Sequence, residues 1–271
     1  AGETITIEDR NGWPGMRLEV VSRTDQGHLL VLPRPPADRF ATGSCDSEVI
    51  ETELSESTPA ADWLARYGRV PLPPYIRDGH MVDADIENYQ TVFAKAPGSV
   101  AAPTPGLHFT PSLLRQITDG GTETASVTLH VGLGTFRPIS SESLDEHEMH
   151  TEWGQMSEEK ADLIVQRRAA GGRCVAVGTT SVRVLESAGN DLAGDLRAWT
   201  STNDLVIRAP FRFQIVDALM TNFHLPKSTL FMLVCAYAGI DQMRHAYKEA
   251  IKEQYRFYSF GDAMLIVNHH V

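Results

Sequence analysis

Cysteine is scarce: Cys45, Cys174 and Cys235 are the only three in 271 residues. They are odd in number and widely separated, which excludes a disulfide framework and a zinc knuckle. Reduced thiols in a cytoplasmic protein are expected, with no disulfide and no structural metal. Long apolar runs are missing too, none approaching the roughly 18 residues that cross a bilayer, so a soluble chain with no membrane partner is expected. Residues 1–10 alternate polar and apolar, without the basic start and apolar block of a signal peptide. Positive charge is also short, 24 Lys and Arg against 35 Asp and Glu. The net charge of −11 excludes a generic polyanion binder, because non-specific nucleic-acid affinity comes from neutralising phosphates. Local basic groups remain at Arg167, Arg168 and Arg173, at Arg208 and Arg212, and at Lys248, Lys252 and Arg256, where charge runs ordinarily form solvated surface.

What is present suits two domains, 1–69 and 70–271. Thr4 to Ile7, Met16 to Val21 and His28 to Leu32 alternate between turn signals and predict antiparallel sheet. Pro33, Pro35 and Pro36 then break the pattern, and the polar, acidic stretch from Ser44 to Ala61 reads as a connector with at most a short helix near Ala60 to Tyr67. Pro71 to Arg77 carries three prolines and must run extended across a surface. A short helix is expected over Asp85 to Ala94, and Gly98 to Phe109 is a loop of small residues that lets backbone approach a ligand. Thr110-Pro111 caps a helix that Gly120 ends.

Ser126 to Val131 reads as a strand running into Gly132-Leu133-Gly134-Thr135-Phe136-Arg137-Pro138. Pro138 stands where a dinucleotide fingerprint would open its helix, so this is not one. Ser157 caps a helix through Ala170, Cys174 to Val177 is a buried strand, and Gly178-Thr179-Thr180-Ser181-Val182-Arg183 is a strand-to-helix turn. Its free N–H groups and hydroxyls suit an anion or serve as ordinary capping. Leu205 to Ile207 and Phe213 to Val216 read as strands, and Ser228 to Tyr237 and Asp241 to Gln254 as helices parted by Gly239. The aromatics from Tyr255 to Phe260 fill core or stack a base.

Two stretches carry polar chemistry. In Thr221-Asn222-Phe223-His224-Leu225-Pro226, polar groups are pinned between apolar segments, either as a satisfied corner or as a substrate-facing site. In His147-Glu148-Met149-His150-Thr151-Glu152, two histidines stand three apart beside carboxylates, but without the His-Glu-x-x-His spacing of metalloproteases. A metal-dependent hydrolase built on His147, His150 and Glu152 would carry zinc, and we expect no metal.

Taken together, Pro71 to Ile76, Tyr89 to Phe93, Gly98 to Thr110, Thr128 to Pro138, His147 to Glu152, Ala176 to Ser187, Asp217, Thr221 to Ala236 and Tyr255 to Met264 resemble the S-adenosylmethionine:tRNA ribosyltransferase-isomerases of queuosine biosynthesis. The resemblance implies an α/β protein, an α/β/α sandwich-like domain joined to an antiparallel β-barrel, with a further segment ahead of the strands that open this chain. It implies transfer and isomerisation of the ribosyl part of S-adenosylmethionine onto 7-aminomethyl-7-deazaguanine at the tRNA wobble position. Epoxyqueuosine forms while adenine and methionine leave. S-adenosylmethionine is a substrate and no cofactor is implied. The expected partner is tRNA, handled by a monomer; the alternative is a non-catalytic fragment that binds RNA or S-adenosylmethionine. The sequence departs from the family pattern at Arg208-Ala209-Pro210-Phe211, where a Pro-Gly-Tyr turn is usual, and at Pro105, where alanine is usual.

That chemistry needs a base for the carbon beside the sulfonium and an acid for adenine. His108, His130, His150 and His224 are the imidazole candidates, with Glu152 and Asp262 as carboxylate alternatives. Thr179, Thr180, Ser181 and Arg183 suit the methionine carboxylate, and Arg137 and Arg256 tRNA phosphates. Phe136, Asn222, Phe223 and Tyr258 suit the deazaguanine by stacking and edge contacts.

Overall fold

The computed structural model describes residues 4–8, 14–23, 29–34, 64, 67–132 and 152–267. The chain divides into two compact units, Ala1–Val70 and Pro71–Val271. In the first, β1 (Thr4–Glu8), β2 (Pro14–Arg23) and β3 (Leu29–Arg34) form an antiparallel sheet in the order β1-β2-β3. β3 runs on through Pro33, where the proline pattern of the sequence predicts a break. At a sheet edge the N–H that proline lacks is not needed for the ladder, and Pro33 pairs with Leu18. No closed barrel exists among the described residues. The connector over 44–61 and all but Leu64 and Tyr67 of the expected helix lie outside them.

The second unit is mixed α/β. Pro71 to Tyr75 carries no regular helix or strand, as three prolines dictate. It leads to a 3₁₀ turn at Arg77–Gly79 and to α1 (Asp85–Asn88), a single turn where the sequence suggested a helix to Ala94. A 3₁₀ turn at Thr104–His108 precedes α2 (Pro111–Asp119), whose Thr110 side chain accepts from the Leu113 N–H at 3.1 Å. β4 (Thr128–His130), β5 (Glu152–Met156) and β7 (Trp199–Asn203) make one antiparallel sheet. β6 (Val175–Val177), β8 (Ala218–Asn222) and β9 (Ala263–Val267) make the other, with β6 and β8 parallel. α3 (Glu158–Ala169) precedes β6, and α5 (Thr229–Ala238) and α6 (Ile240–Lys252) follow β8, with Gly239 between them.

α4 (Thr179–Asp191) contacts strands of both sheets. Every residue from Val182 to Gly189 is buried, so this helix is covered all round and has no solvent face to keep polar. The main core gathers on it: Val182, Val184, Leu185 and Ala188 meet Leu129, Met156 and Trp199 as well as Leu219, Leu233 and Val234. A β-carbon at Gly189 would stand 2.8 Å from Ile215, so only glycine fits that approach.

The residues read as strands at Leu205 to Ile207 and Phe213 to Val216 are irregular. Ile207, Ile215 and Val216 are buried, and burial alone explains their apolar character. In the second of these segments the fully buried Glu186 carboxylate takes over the sheet's task, accepting from the N–H groups of Gln214 (2.8 Å), Ile215 (3.1 Å) and Val216 (2.9 Å). Burial pushes its carboxyl above the usual carboxylate range, against the pull of those bonds. Glu186→Gln would set an amide NH2 against one of these N–H donors and is expected to lose about 1–3 kcal/mol of stability, read from the urea midpoint. An unchanged midpoint would mean that the segment holds itself.

Candidate active site

The parallel strands β6 and β8 end at Val177 and Asn222. Ligands of open α/β sheets bind outside such carboxyl ends. After Val177, Gly178 turns the chain at φ 89, a conformation that a β-carbon disfavours, and donates to the Met220 carbonyl at 2.8 Å. α4 then begins with the N–H groups of Thr179 and Thr180 ahead of its first intrahelical bonds. The Ser181 hydroxyl donates to the Val177 carbonyl at 2.8 Å and closes the turn. This end of a 13-residue helix carries partial positive charge suited to a carboxylate or phosphate. A β-carbon at Gly178 would lie 3.6 Å from Pro105, which brings the Thr104–His108 turn over the same strand ends.

Asn222, buried, ties the corner together. Its Oδ1 accepts from the Thr104 hydroxyl at 3.2 Å, and its Nδ2 donates to the carbonyls of Gly261 at 3.2 Å and Asp262 at 3.3 Å. Two protons for two carbonyls fix the amide's orientation. His108 Nε2, at 3.4 Å from Nδ2, is then a third and weaker neighbour. The exposed His108 ring hangs over the corner without being tied into it.

His224 is held differently. Its Nε2 lies 2.8 Å from the buried Thr221 hydroxyl, and its backbone N–H donates to the Tyr247 hydroxyl at 2.8 Å. Burial pushes the imidazole from 6.5 down to about 4, so it is neutral at physiological pH. Tyr247 is pushed up to about 12, chiefly by burial. A folded-state value below the unfolded one means that the unfolded chain binds the extra proton. Stability is therefore full above about pH 6.5 and falls as pH drops toward 4, by on the order of 2–3 kcal/mol for this residue. His224→Gln is expected to flatten that part of the slope, seen by comparing urea midpoints of both proteins at pH 7.5 and 5. Parallel slopes would overturn the assignment.

Asp262 accepts from the Arg256 N–H at 2.7 Å and from its Nη2 at 3.1 Å, and the first of these does most to hold the carboxyl below its usual range. Tyr258 donates its N–H to the Phe223 carbonyl at 3.0 Å. Phe223 itself is buried, its ring 4.8 Å from Phe257 and 5.4 Å from Tyr247, so its face is taken by core and not open to a base.

The fold thus gathers His108, His224, Asn222, Asp262, Arg256, Tyr258 and Thr179 to Ser181 around one set of strand ends. Of three other candidates, His130 and Glu152 belong to the antiparallel sheet and Arg183 to α4. His130 packs against Trp153, ring centroids 5.1 Å apart, and lies where a Gly98 β-carbon would be. Glu152 of β5 and Arg183 of α4 form a buried ion pair, side chains 2% and 6% exposed. Arg183, offered by the sequence as an anion's cation, therefore has its charge matched inside the protein. Among the described residues its Nε and Nη2 have no hydrogen-bond partner, and neither do Ser187 Oγ and Asn203 Nδ2. Phe136, Arg137 and His150 lie outside the described residues, as does His147. Among the described residues no three His, Cys, Asp or Glu side chains gather as metal ligands. Cys174 and Cys235 are free thiols. No helix there is long and apolar enough to cross a membrane.

The sequence reading missed Thr104 and the Gly261 and Asp262 carbonyls as partners of Asn222. The one available signal was a hydroxyl held rigid between Pro103 and Pro105.

Comparison with known proteins follows this geometry. A family described as queuosine biosynthesis protein matches residues 6–266. The S-adenosylmethionine:tRNA ribosyltransferase-isomerase of Cupriavidus metallidurans is 54% identical over 209 residues, 77% of this chain and 58% of that protein. A crystal structure of S-adenosylmethionine tRNA ribosyltransferase from Thermotoga maritima is 44% identical, covering 60% of this chain and 51% of that one, with a TM-score of 0.49. The chain spans little more than half the length of these relatives. With the match running through nearly all of its residues, the chain belongs to the queuosine biosynthesis protein family.

Proposed function

We propose that this chain carries the catalytic corner of an S-adenosylmethionine:tRNA ribosyltransferase-isomerase. It transfers and isomerises the ribosyl moiety of S-adenosylmethionine onto 7-aminomethyl-7-deazaguanine at the wobble position of tRNA, releasing adenine and methionine as epoxyqueuosine forms. The observation that carries this reading is the convergence of an anion-suited helix start, an untethered imidazole and a fixed amide at the ends of β6 and β8, in a chain matched by the family over residues 6–266.

The sulfonium acidifies the protons on the neighbouring ribose carbon, and His108 removes one because its ring nitrogen is not committed to a strong protein bond. The N–H groups of Thr179 and Thr180, with the Ser181 turn beneath them, receive the methionine carboxylate. Asn222 holds the His108 turn and the Gly261-Asp262 backbone in one frame, so that base and substrate keep their relative position. His224, neutral and bonded to Thr221, shapes the floor of the corner, and Arg256 faces an RNA phosphate. No metal or redox cofactor is needed. The enzyme works in the cytoplasm as a monomer, and β1–β3 form part of the barrel that the family resemblance implies.

Incubation with S-adenosylmethionine and tRNA bearing the aminomethyl base, followed by nucleoside mass analysis, tests this. Epoxyqueuosine with equimolar adenine and methionine supports it. The second reading is a non-catalytic module that binds RNA or S-adenosylmethionine, and binding of either substrate without product would establish that instead.

A further inference from the structure

Beside the candidate site the aromatics at Tyr258 and Phe260 are joined by Tyr75, a residue to which neither the motifs nor the comparisons give a role. Leu72 and Pro73 are buried, and the chain then turns through Pro74 to Ile76, closed by the Ile76 N–H on the Pro73 carbonyl at 2.9 Å, in place of the extended run the prolines predict; the turn leaves Tyr75 47% exposed. Its ring stands 5.0 Å from that of Tyr258, tilted by 53°. Its hydroxyl donates to Ser259 Oγ at 2.7 Å and accepts from the Ser259 N–H at 3.1 Å. The buried Tyr89 meets Phe260 edge-on at 5.1 Å and leaves that ring 37% exposed. Tyr258 has φ 71, a conformation rare for a bulky residue, and its neighbours hold it there through the N–H bond to Phe223. Strain of this kind persists where surroundings over-determine it, and it clusters at ligand clamps.

Two further observations select the occupant. The same loop carries Arg256, whose side chain is 76% exposed, and ends at Gly261 and Asp262, whose carbonyls bind Asn222. Flat aromatic faces, an adjacent guanidinium and continuity with the site fit single-stranded RNA, in which bases stack on rings and phosphates meet arginines. We propose that Tyr75 and Phe260, braced by Tyr258, form a stacking platform for an unpaired nucleobase adjoining the one that enters the site. This rests on the reading of the site given above and extends it to Tyr75, a residue outside the chemical step.

The test is binding of a tRNA anticodon stem-loop to the wild-type chain, Tyr75→Ala and Tyr75→Phe, with folding followed by circular dichroism. Tyr75→Ala is expected to weaken binding about tenfold or more and to leave S-adenosylmethionine affinity unchanged. Tyr75→Phe should stay within about threefold, because the ring rather than the Ser259 bonds carries the effect. A stem-loop with abasic sites flanking the wobble base should lose affinity for wild type and little more for Tyr75→Ala. Unchanged binding by a folded Tyr75→Ala, equal loss in both variants, or no binding of the stem-loop by wild type would overturn the proposal. Binding is read without turnover, so the two readings fail separately. RNA binding through Tyr75 in a chain that makes no product would sink the catalytic reading alone.

Discussion

Glu152→Gln is expected to lower the stability of the second unit by about 3–5 kcal/mol, the largest effect anticipated for any single substitution here. The reason is burial on both sides. Arg183 Nη1 donates to Glu152 Oε2 with neither side chain more than 6% exposed, while Nε and Nη2 have no acceptor among the described residues. Removing the carboxylate's charge takes from the Arg183 guanidinium of α4 the counter-ion it has among the described residues. Replacing both partners is a different matter, since the desolvation of two charges is then avoided. Glu152→Leu with Arg183→Met should therefore recover most of the loss, as measured by urea unfolding of the two single variants and the double variant. A Glu152→Gln loss below about 1 kcal/mol would mean that water reaches the guanidinium, and would return Arg183 to the list of residues open to an anion.

This pair also marks where the sequence stops being readable. Helix starts were legible because the signal is local: Thr110-Pro111 and Ser228 are caps within three residues of the N–H groups they receive, and Gly239 parts α5 from α6. The corner at Thr221 to His224 was legible for the same reason, since Thr221 and His224 bond across three residues. Nothing local announces that Glu152 will meet Arg183, or that Asn222 will take its partner from Thr104, 118 residues away. The strand reading of Leu205 to Ile207 and Phe213 to Val216 failed for a related reason. Apolar runs report burial, and here Glu186, not a neighbouring strand, satisfies part of the backbone. β8 was overlooked because Ala218-Leu219-Met220-Thr221-Asn222 shows little β-branching, yet it is paired on both sides.

His108→Ala is expected to reduce turnover by about 10²- to 10⁴-fold, the usual contribution of a positioned base, and to shift stability by no more than about 0.5 kcal/mol. The second half of that statement separates His108 from His224. His108 is exposed, and its contact with Asn222 is long at 3.4 Å, so the frame of Thr104, Asn222, Gly261 and Asp262 stands without it. His224 is bonded to a buried threonine and neutral down to about pH 4, so His224→Ala should lose stability along with activity. If His108 is the base, added imidazole should restore part of the His108→Ala rate, since the space vacated opens to solvent, and should do little for His224→Ala. The affinity for S-adenosylmethionine should change little in His108→Ala, because the proposed seat of its carboxylate is the start of α4, on a different element. A folded His108→Ala with wild-type turnover would remove this residue from the chemistry. If His224→Ala proved stable and inactive at the same time, the base would have to be sought at His224, where proton transfer would compete with the Thr221 bond.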